Sequence, residues 1–429
     1  MNIFKFGGAS VNSAKAVRNV ASIVKNHGKQ SLVIVVSAMG KTTNMLERLV
    51  PSIPKDDEER VKVLNQVRQY HQVIIEELFP DKKAAVYQKV ESLMQLLDQQ
   101  TRQLPATYNF DYDQTVSFGE LISTIIVSEY LNASGIDNRW VDVRDIICTD
   151  ANYREGHVDW SLSNNKAVET LKPILRDHIV VTQGFIAGTY EMLQDGRTER
   201  HTTTLGREGS DYSAAVLSYC LDADNMIIWK DVPGFLNADP KYFHDTVKME
   251  RIPYNEAIEL AYYGASVIHP KTVQPIQNKS IELYIKSFVT PSASGSVIGP
   301  YNTIEPQTPL YIFKNDQVLI SIMPKDFSFI AEDNLQTIFS ALAKLGIRVN
   351  LMQNSALSFS LCIDHNEVLL RMLKELLGDA YRLRYNEGLQ LITIRYYTQQ
   401  IIDSIVGGRT ILLQQRSRTT TQLIVNNLL

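Results

Sequence analysis

The sequence predicts an α/β protein: a parallel-rich, doubly wound sheet sandwiched by helices, followed by a smaller ferredoxin-like (βαββαβ) region. Three observations predict it. Six Val/Ile-rich segments at 2–6, 32–38, 138–143, 179–186, 226–232 and 281–287 alternate with helix-favouring stretches, and near-continuous apolar strands imply burial on both faces. Glycine- and hydroxyl-rich clusters fall at the carboxyl ends of these strands, where such sheets bind ligands. Beyond about Pro309 the order becomes strand, helix, strand, strand, helix, strand.

At the amino terminus, Ile3-Phe-Lys-Phe-Gly-Gly-Ala-Ser10 is an apolar strand with one embedded lysine. A strand lysine either snorkels to the surface or has its charge matched by an anion. Gly7 and Gly8 let the backbone approach a phosphate, and Ser10 is placed to cap a helix beginning near Asn12. The charged stretch 56–100 reads as an amphipathic helical insertion, with apolar spacing clearest at 61–68 and 90–97. A helix over 121–131 opens on Glu120, where an acid also suits the helix dipole.

The segment 179–188 reads as a strand passing into a loop. The run Thr202-Thr-Thr-Leu-Gly-Arg-Glu-Gly-Ser-Asp-Tyr-Ser213 reads as one glycine-rich turn opening the helix at 214–219. Free N–H groups at such a helix start favour phosphate or carboxylate. Turn-rich 290–296 and 299–302 mark the approach to a boundary. After it come a strand at 318–323, a helix at 332–345, strands at 347–352 and 358–363, a helix at 367–377 and a strand at 381–385. A second, incomplete copy takes in 389–397, 399–406, 410–415 and 420–425. Its open sheet edge needs cover from the first copy or another subunit. The expected domains are 1–305, 309–386 and 387–429.

The 429 residues exceed one ordinary domain. Hydrophobic content of 44% and charged content of 21% fit a globular chain rather than a disordered one. A net charge of -4 argues against a nucleic-acid-binding surface, and no apolar run approaches a membrane span. Cys148, Cys220 and Cys362 show neither metal-ligand nor disulfide spacing. The chain opens directly on a strand with no signal-peptide pattern, so a cytoplasmic location is expected. Gly40-Lys-Thr42 is not a P-loop, because Val35 stands where the first glycine belongs.

Six motifs in order carry a resemblance: Lys5-Phe-Gly-Gly-Ala-Ser10, Val36-Ser-Ala-Met-Gly-Lys-Thr-Thr-Asn44, Ser117-Phe-Gly-Glu120, Gln183-Gly-Phe-Ile-Ala-Gly188, Thr203-Thr-Leu-Gly-Arg-Glu-Gly-Ser-Asp211 and Asp231-Val-Pro-Gly234. Together they resemble the aspartokinases of the amino acid kinase family over nearly the whole chain, and the carboxyl-terminal region resembles that family's paired ACT regulatory domains. The resemblance implies MgATP-dependent phosphorylation of the side-chain carboxylate of L-aspartate, at the head of lysine, threonine and methionine synthesis. It implies Lys5 and Asp211 as catalytic residues. Ser37, Thr43, Glu120, Arg207 and Ser210 are the expected substrate contacts, Arg207 for the α-carboxylate and Glu120 for the ammonium group. Lys5, Gly7, Gly8, Lys230, Asp231, Phe235, Leu236, Lys241 and Ser266 are the expected nucleotide contacts. Mg2+ is expected only through the ATP phosphates, without a protein metal site.

Some positions depart from the family pattern. Leu236 replaces a tyrosine near the base, for which Phe235 would compensate, and Ser266 replaces a lysine, for which Lys230 or Lys271 would supply charge. Asn350 stands where lysine-responsive relatives carry aspartate; with Met352 and Ser355 it marks the expected effector segment, for lysine or threonine. A homodimer is the expected assembly. The competing readings are a regulatory nucleotide- or amino-acid-binding protein that has lost catalysis, and a carboxylate kinase acting on glutamate or acetylglutamate.

Overall fold

The computed structural model describes residues 1–28, 31–50, 57–102, 106–192, 198–265, 267–326 and 328–426. It divides into two compact units: Met1–Phe235, Lys248–Ile258 and Val267–Pro306 form one, and Leu236–Val247, Glu259–Ser266 and Gln307–Leu429 form the other. Two short segments expected in the first domain therefore group with the second. The reason is local. Asn237 donates its side-chain amide to the Pro309 carbonyl and accepts the Tyr311 N–H, while Tyr242 stacks on Phe313 and Phe243 on Tyr311.

In the first unit the strands are β1 (Asn2–Phe6), β2 (Leu32–Val36), β3 (Asn138–Trp140), β4 (Ile179–Gln183), β5 (Ile186–Met192), β6 (Thr198–Thr204), β7 (Asn225–Lys230), β8 (Arg251–Pro253), β9 (Glu282–Ser287) and β10 (Ser296–Gly299). Eight form one sheet in the order β3-β4-β2-β1-β7-β9-β10-β8, parallel throughout except between β9 and β10. All six expected strands lie in it. The short β8 and β10 were not expected, since three or four residues carry too little pattern. β1 and β2 are buried at every position, as their unbroken apolar runs require.

Two local readings are corrected. Ser13, not Ser10, caps the first long helix, Ala14–His27, accepting the Ala16 N–H; Ser10 sits in a preceding 3-10 turn. Thr202, Thr203 and Thr204 are not turn residues but the end of β6, which pairs with β5 in a separate hairpin. The turn proper is Leu205–Glu208, after which the helix Gly209–Leu221 begins. The insertion forms the helices Asp57–Leu78 and Ala85–Gln100, and its apolar faces join the same core as Phe4, Phe6 and Trp229.

The second unit is one antiparallel six-stranded sheet of β11 (Leu310–Pro324), β12 (Val349–Asn354), β13 (Phe359–Asp364), β14 (Tyr381–Arg395), β15 (Ile411–Arg416) and β16 (Thr420–Asn426). Its order is β12-β13-β11-β14-β16-β15. The helices Glu332–Lys344 and Glu367–Leu377 complete the expected βαββαβ order. The expected division at 386 falls inside β14, which runs unbroken for 15 residues. β11 is equally long; its first half pairs with the second half of β14, covering the open edge of the incomplete copy. Register shifts around Gln317 separate the two halves.

Trp229 tests the first core. Its ring lies parallel to Phe6 at 6.2 Å, it is 1% exposed, and among the described residues its indole N–H has no hydrogen-bond partner. Trp229→Ala should cost about 3–5 kcal/mol in urea unfolding through the cavity it leaves. Trp229→Phe, which removes the same unpaired donor but keeps a ring in place, should cost far less. Equal losses would show that the cavity does not set the cost.

Candidate active site

Lys5 is the fourth residue of β1, in the middle of the sheet, and its side chain is 8% exposed. An ammonium group there needs a counter-charge. Asp211 provides it from the first turn of Gly209–Leu221, with no exposure at all and one oxygen 2.7 Å from the Lys5 Nζ. Lys230, the last residue of β7, brings a second ammonium group 3.3 Å from the other oxygen and donates to the Val267 carbonyl at 2.5 Å. The two contacts with Asp211 are ionic, off the directions of aligned hydrogen bonds. Burial alone would raise the Asp211 pKa; Lys5 and Lys230 outweigh it and hold the carboxyl below its ordinary range.

Close backbone contacts fix this geometry. A Cβ on Gly8 would stand 2.8 Å from the Ala38 carbonyl oxygen, so the loops after β1 and β2 meet main chain to main chain. A Cβ on Gly184 would stand 2.6 Å from the Ser210 side chain, which seats the helix start against the end of β4. The Ser123 hydroxyl donates to the Ser37 carbonyl, stitching the helix Phe118–Ala133 to the loop after β2.

That helix carries Glu120 in its first turn, 2% exposed. One oxygen accepts the Ala38 N–H at 3.2 Å, and among the described residues the other has no hydrogen-bond partner. Burial pushes its pKa up to about 8, against the pull of the Ala38 N–H. Among the described residues it forms no ion pair.

These groups line one cavity of about 430 Å³, which includes Lys5, Gly8, Ser37, Thr43, Glu120, Ser210 and Asp211. The expected catalytic pair and four of the five expected substrate contacts therefore converge. Arg207 does not line it; it faces an adjoining cavity of about 600 Å³ that shares Phe185 and Gly206 with the first. Asn44, Phe185 and Glu208 also line the first cavity and were missed. All three lay inside quoted motifs, but nothing in their spacing singled them out.

The nucleotide contacts converge less well. Gly7 lies beside Lys5, its Cβ position 3.3 Å from the Nζ. Asp231 is exposed. Phe235 is corrected: its ring is 2% exposed in the interior and presents no free face to a base. Leu236 and Lys241 belong to the second unit, and Ser266 lies outside the described residues. Lys271 donates to the Leu205 carbonyl at 3.3 Å and lies over the Tyr212 ring, whereas Lys230 stays beside Asp211 without lining the cavity.

In the second unit, Asn350 and Met352 lie on the edge strand β12 and Ser355 in the turn after it. The Asn350 amide is saturated. It accepts from Lys314 at 2.8 Å and donates to Gln317 and Asp364. Met352 is half exposed, and Ser355 bonds only locally, to Ser358.

Among the described residues no group of three or more His, Cys, Asp or Glu is arranged to hold a metal ion, and no helix is long and apolar enough to cross a membrane.

Comparison with known proteins agrees with this arrangement. The profile of the Amino acid kinase family matches residues 1–287. The chain is 30% identical to the lysine-sensitive aspartokinase 3 of Escherichia coli (strain K12) over 405 residues, covering 91% of this chain and 86% of that protein. It is 27% identical to the chloroplastic bifunctional aspartokinase/homoserine dehydrogenase 2 of Arabidopsis thaliana, but spans only 42% of that longer protein. The crystal structure of E. coli aspartokinase III in complex with aspartate and ADP, described as the R-state, superposes with a TM-score of 0.81 at 26% identity, over 99% of this chain and 96% of that one. With Lys5, Asp211 and Glu120 brought to one cavity, the chain belongs to the amino acid kinase family, among its aspartokinases.

Proposed function

We propose that this protein is an aspartate kinase, transferring the γ-phosphoryl group of MgATP to the side-chain carboxylate of L-aspartate to give 4-phospho-L-aspartate. The observation that carries the reading is the shared cavity of Lys5, Asp211 and Glu120. The solved relative holding aspartate and ADP supports it. By the same likeness, the product enters lysine, threonine and methionine synthesis.

The nucleophile needs no base, because a carboxylate with a pKa near ~3.9 is already ionised. A carboxylate oxygen forms the new O–P bond as the bond to ADP breaks, and its electron pair leaves on the β-phosphate oxygen. The obstacle is repulsion between two anions. Lys5 and Lys230 offset it, and Asp211 keeps both ammonium groups in place. The donor set fits a nucleotide phosphate, since two ammonium groups face one carboxylate; Mg2+ would come with the phosphates and neutralise part of their charge. Glu120 receives the substrate ammonium group, and Arg207 the α-carboxylate.

A homodimer and a cytoplasmic setting complete the proposal. Regulation by lysine or threonine at Asn350 is part of it, and one relative is named lysine-sensitive. Here an effector would have to displace the Lys314 ammonium group from Asn350.

Trapping the acyl phosphate with hydroxylamine tests the activity. Aspartate should give hydroxamate and glutamate little; no product from aspartate would favour the binding-only reading. Lys5→Ala should lower kcat by roughly 10²–10³-fold. Lys230→Ala should raise the ATP KM about tenfold with little change for aspartate, and an unchanged ATP KM would exclude Lys230 from the phosphate site.

Glu120 gives a pH signature. Its native pKa of about 8 means that aspartate must expel a proton to bind below that pH, so kcat/KM for aspartate should climb with pH and level off near 8. Between the ordinary 4.5 and about 8 the native state binds more protons than the unfolded one, so this group lowers stability as pH rises. Glu120→Gln should flatten the profile and raise aspartate KM. Its Tm relative to the wild type should improve from pH 5 to pH 8; a constant difference would mean that Glu120 is ionised throughout.

A further inference from the structure

The larger cavity beside the catalytic one is lined by a second guanidinium group, that of Arg154, together with Arg207. Arg154 adopts φ +72°, a left-handed conformation that glycine takes freely and arginine takes only at a cost. A buried carboxylate holds it there. The Arg154 N–H donates to Asp113 Oδ2 at 2.8 Å, and Asp113 also accepts the Thr204 N–H at 2.9 Å and the Thr204 hydroxyl at 2.7 Å. Thr204 closes β6 three residues before Arg207. One unexposed side chain thus ties the Arg154 turn to the turn that presents Arg207.

The Arg154 guanidinium lies 4.5 Å from the centre of the Tyr112 ring and 5.5 Å from that of Tyr108. Contact with aromatic faces leaves the in-plane N–H donors available for a two-pronged carboxylate contact. Among the described residues neither Arg154 nor Arg207 is ion-paired with a carboxylate. Strain, an aromatic rest and an unspent fork together point to a ligand.

We infer that Arg154 is a second reader of the amino acid's α-carboxylate, beside Arg207, and so a specificity-determining residue. The assignment rests on the phosphoryl transfer proposed above. Phe185 and Gly206, shared by both cavities, would let one small amino acid extend from the Lys5 side to the two arginines.

Arg154→Gly separates binding from folding, because glycine relieves the strained φ while removing the guanidinium. The aspartate KM should rise about tenfold or more, with kcat and ATP KM within about twofold of wild type and Tm no lower. Arg154→Lys, which keeps the charge but not the planar fork, should recover only part of the loss. An aspartate KM within about twofold of wild type, or an equal rise in ATP KM, would overturn the assignment. A wild-type protein that forms no acyl phosphate would refute the transfer instead. Arg154 would then be judged by calorimetric titration of L-aspartate into both proteins, on the same tenfold criterion.

Discussion

The site depends on one fully buried carboxylate held between two ammonium groups. Asp211 has no contact with solvent, and Lys5 reaches it from the middle of the sheet. Removing either member of such a pair strands a charge in a medium that solvates it poorly. The third charge makes the cluster cationic rather than neutral, since Lys230 approaches the second oxygen. An excess positive charge held beside a cavity favours an anion there.

The fold supplies the rigidity that this charge cluster needs. Lys5 and Lys230 lie near the ends of adjacent parallel strands, with Lys5 opposite Ile228 in the register. Asp211 projects from a helix buried along nearly its whole length. Phe4 and Phe6 flank Lys5 in β1, and their rings pack with Trp229 in the core, which anchors the strand that carries the ammonium group. Packing energy in the core is thus converted into electrostatic preorganisation at the rim.

Much of this was legible in the sequence because chemistry and pattern coincided. Lys5 stood out as a charge in an apolar strand, and Asp211 as an acid at a glycine-rich helix start. What escaped depended on long-range packing. Ser10 and Ser13 are equally good caps on paper; the 3-10 turn that consumes Ser10 decides between them. Phe235 was expected to present an aromatic face, but burial of that face against the interior is a tertiary fact. The joint between the two carboxyl-terminal copies was read as a boundary at Glu387, whereas pairing with β11 carries β14 straight through it. Arg154 gave no signal, since a left-handed φ at a non-glycine residue follows from the Asp113 contact some forty positions away.

Two buried acids in one cavity are displaced in opposite directions, and the contrast carries chemical meaning. Asp211 is held ionised because its cations are built into the chain. Glu120 is driven towards the neutral form by burial, and among the described residues one of its oxygens has no hydrogen-bond partner. Burying such an acid costs stability, and a strongly perturbed acid in a cavity marks a candidate binding site. One cavity therefore sets a cationic end, where Lys5 meets Asp211 with Lys230 behind it, against an acidic end at Glu120, and the guanidinium groups of Arg154 and Arg207 line the space next door.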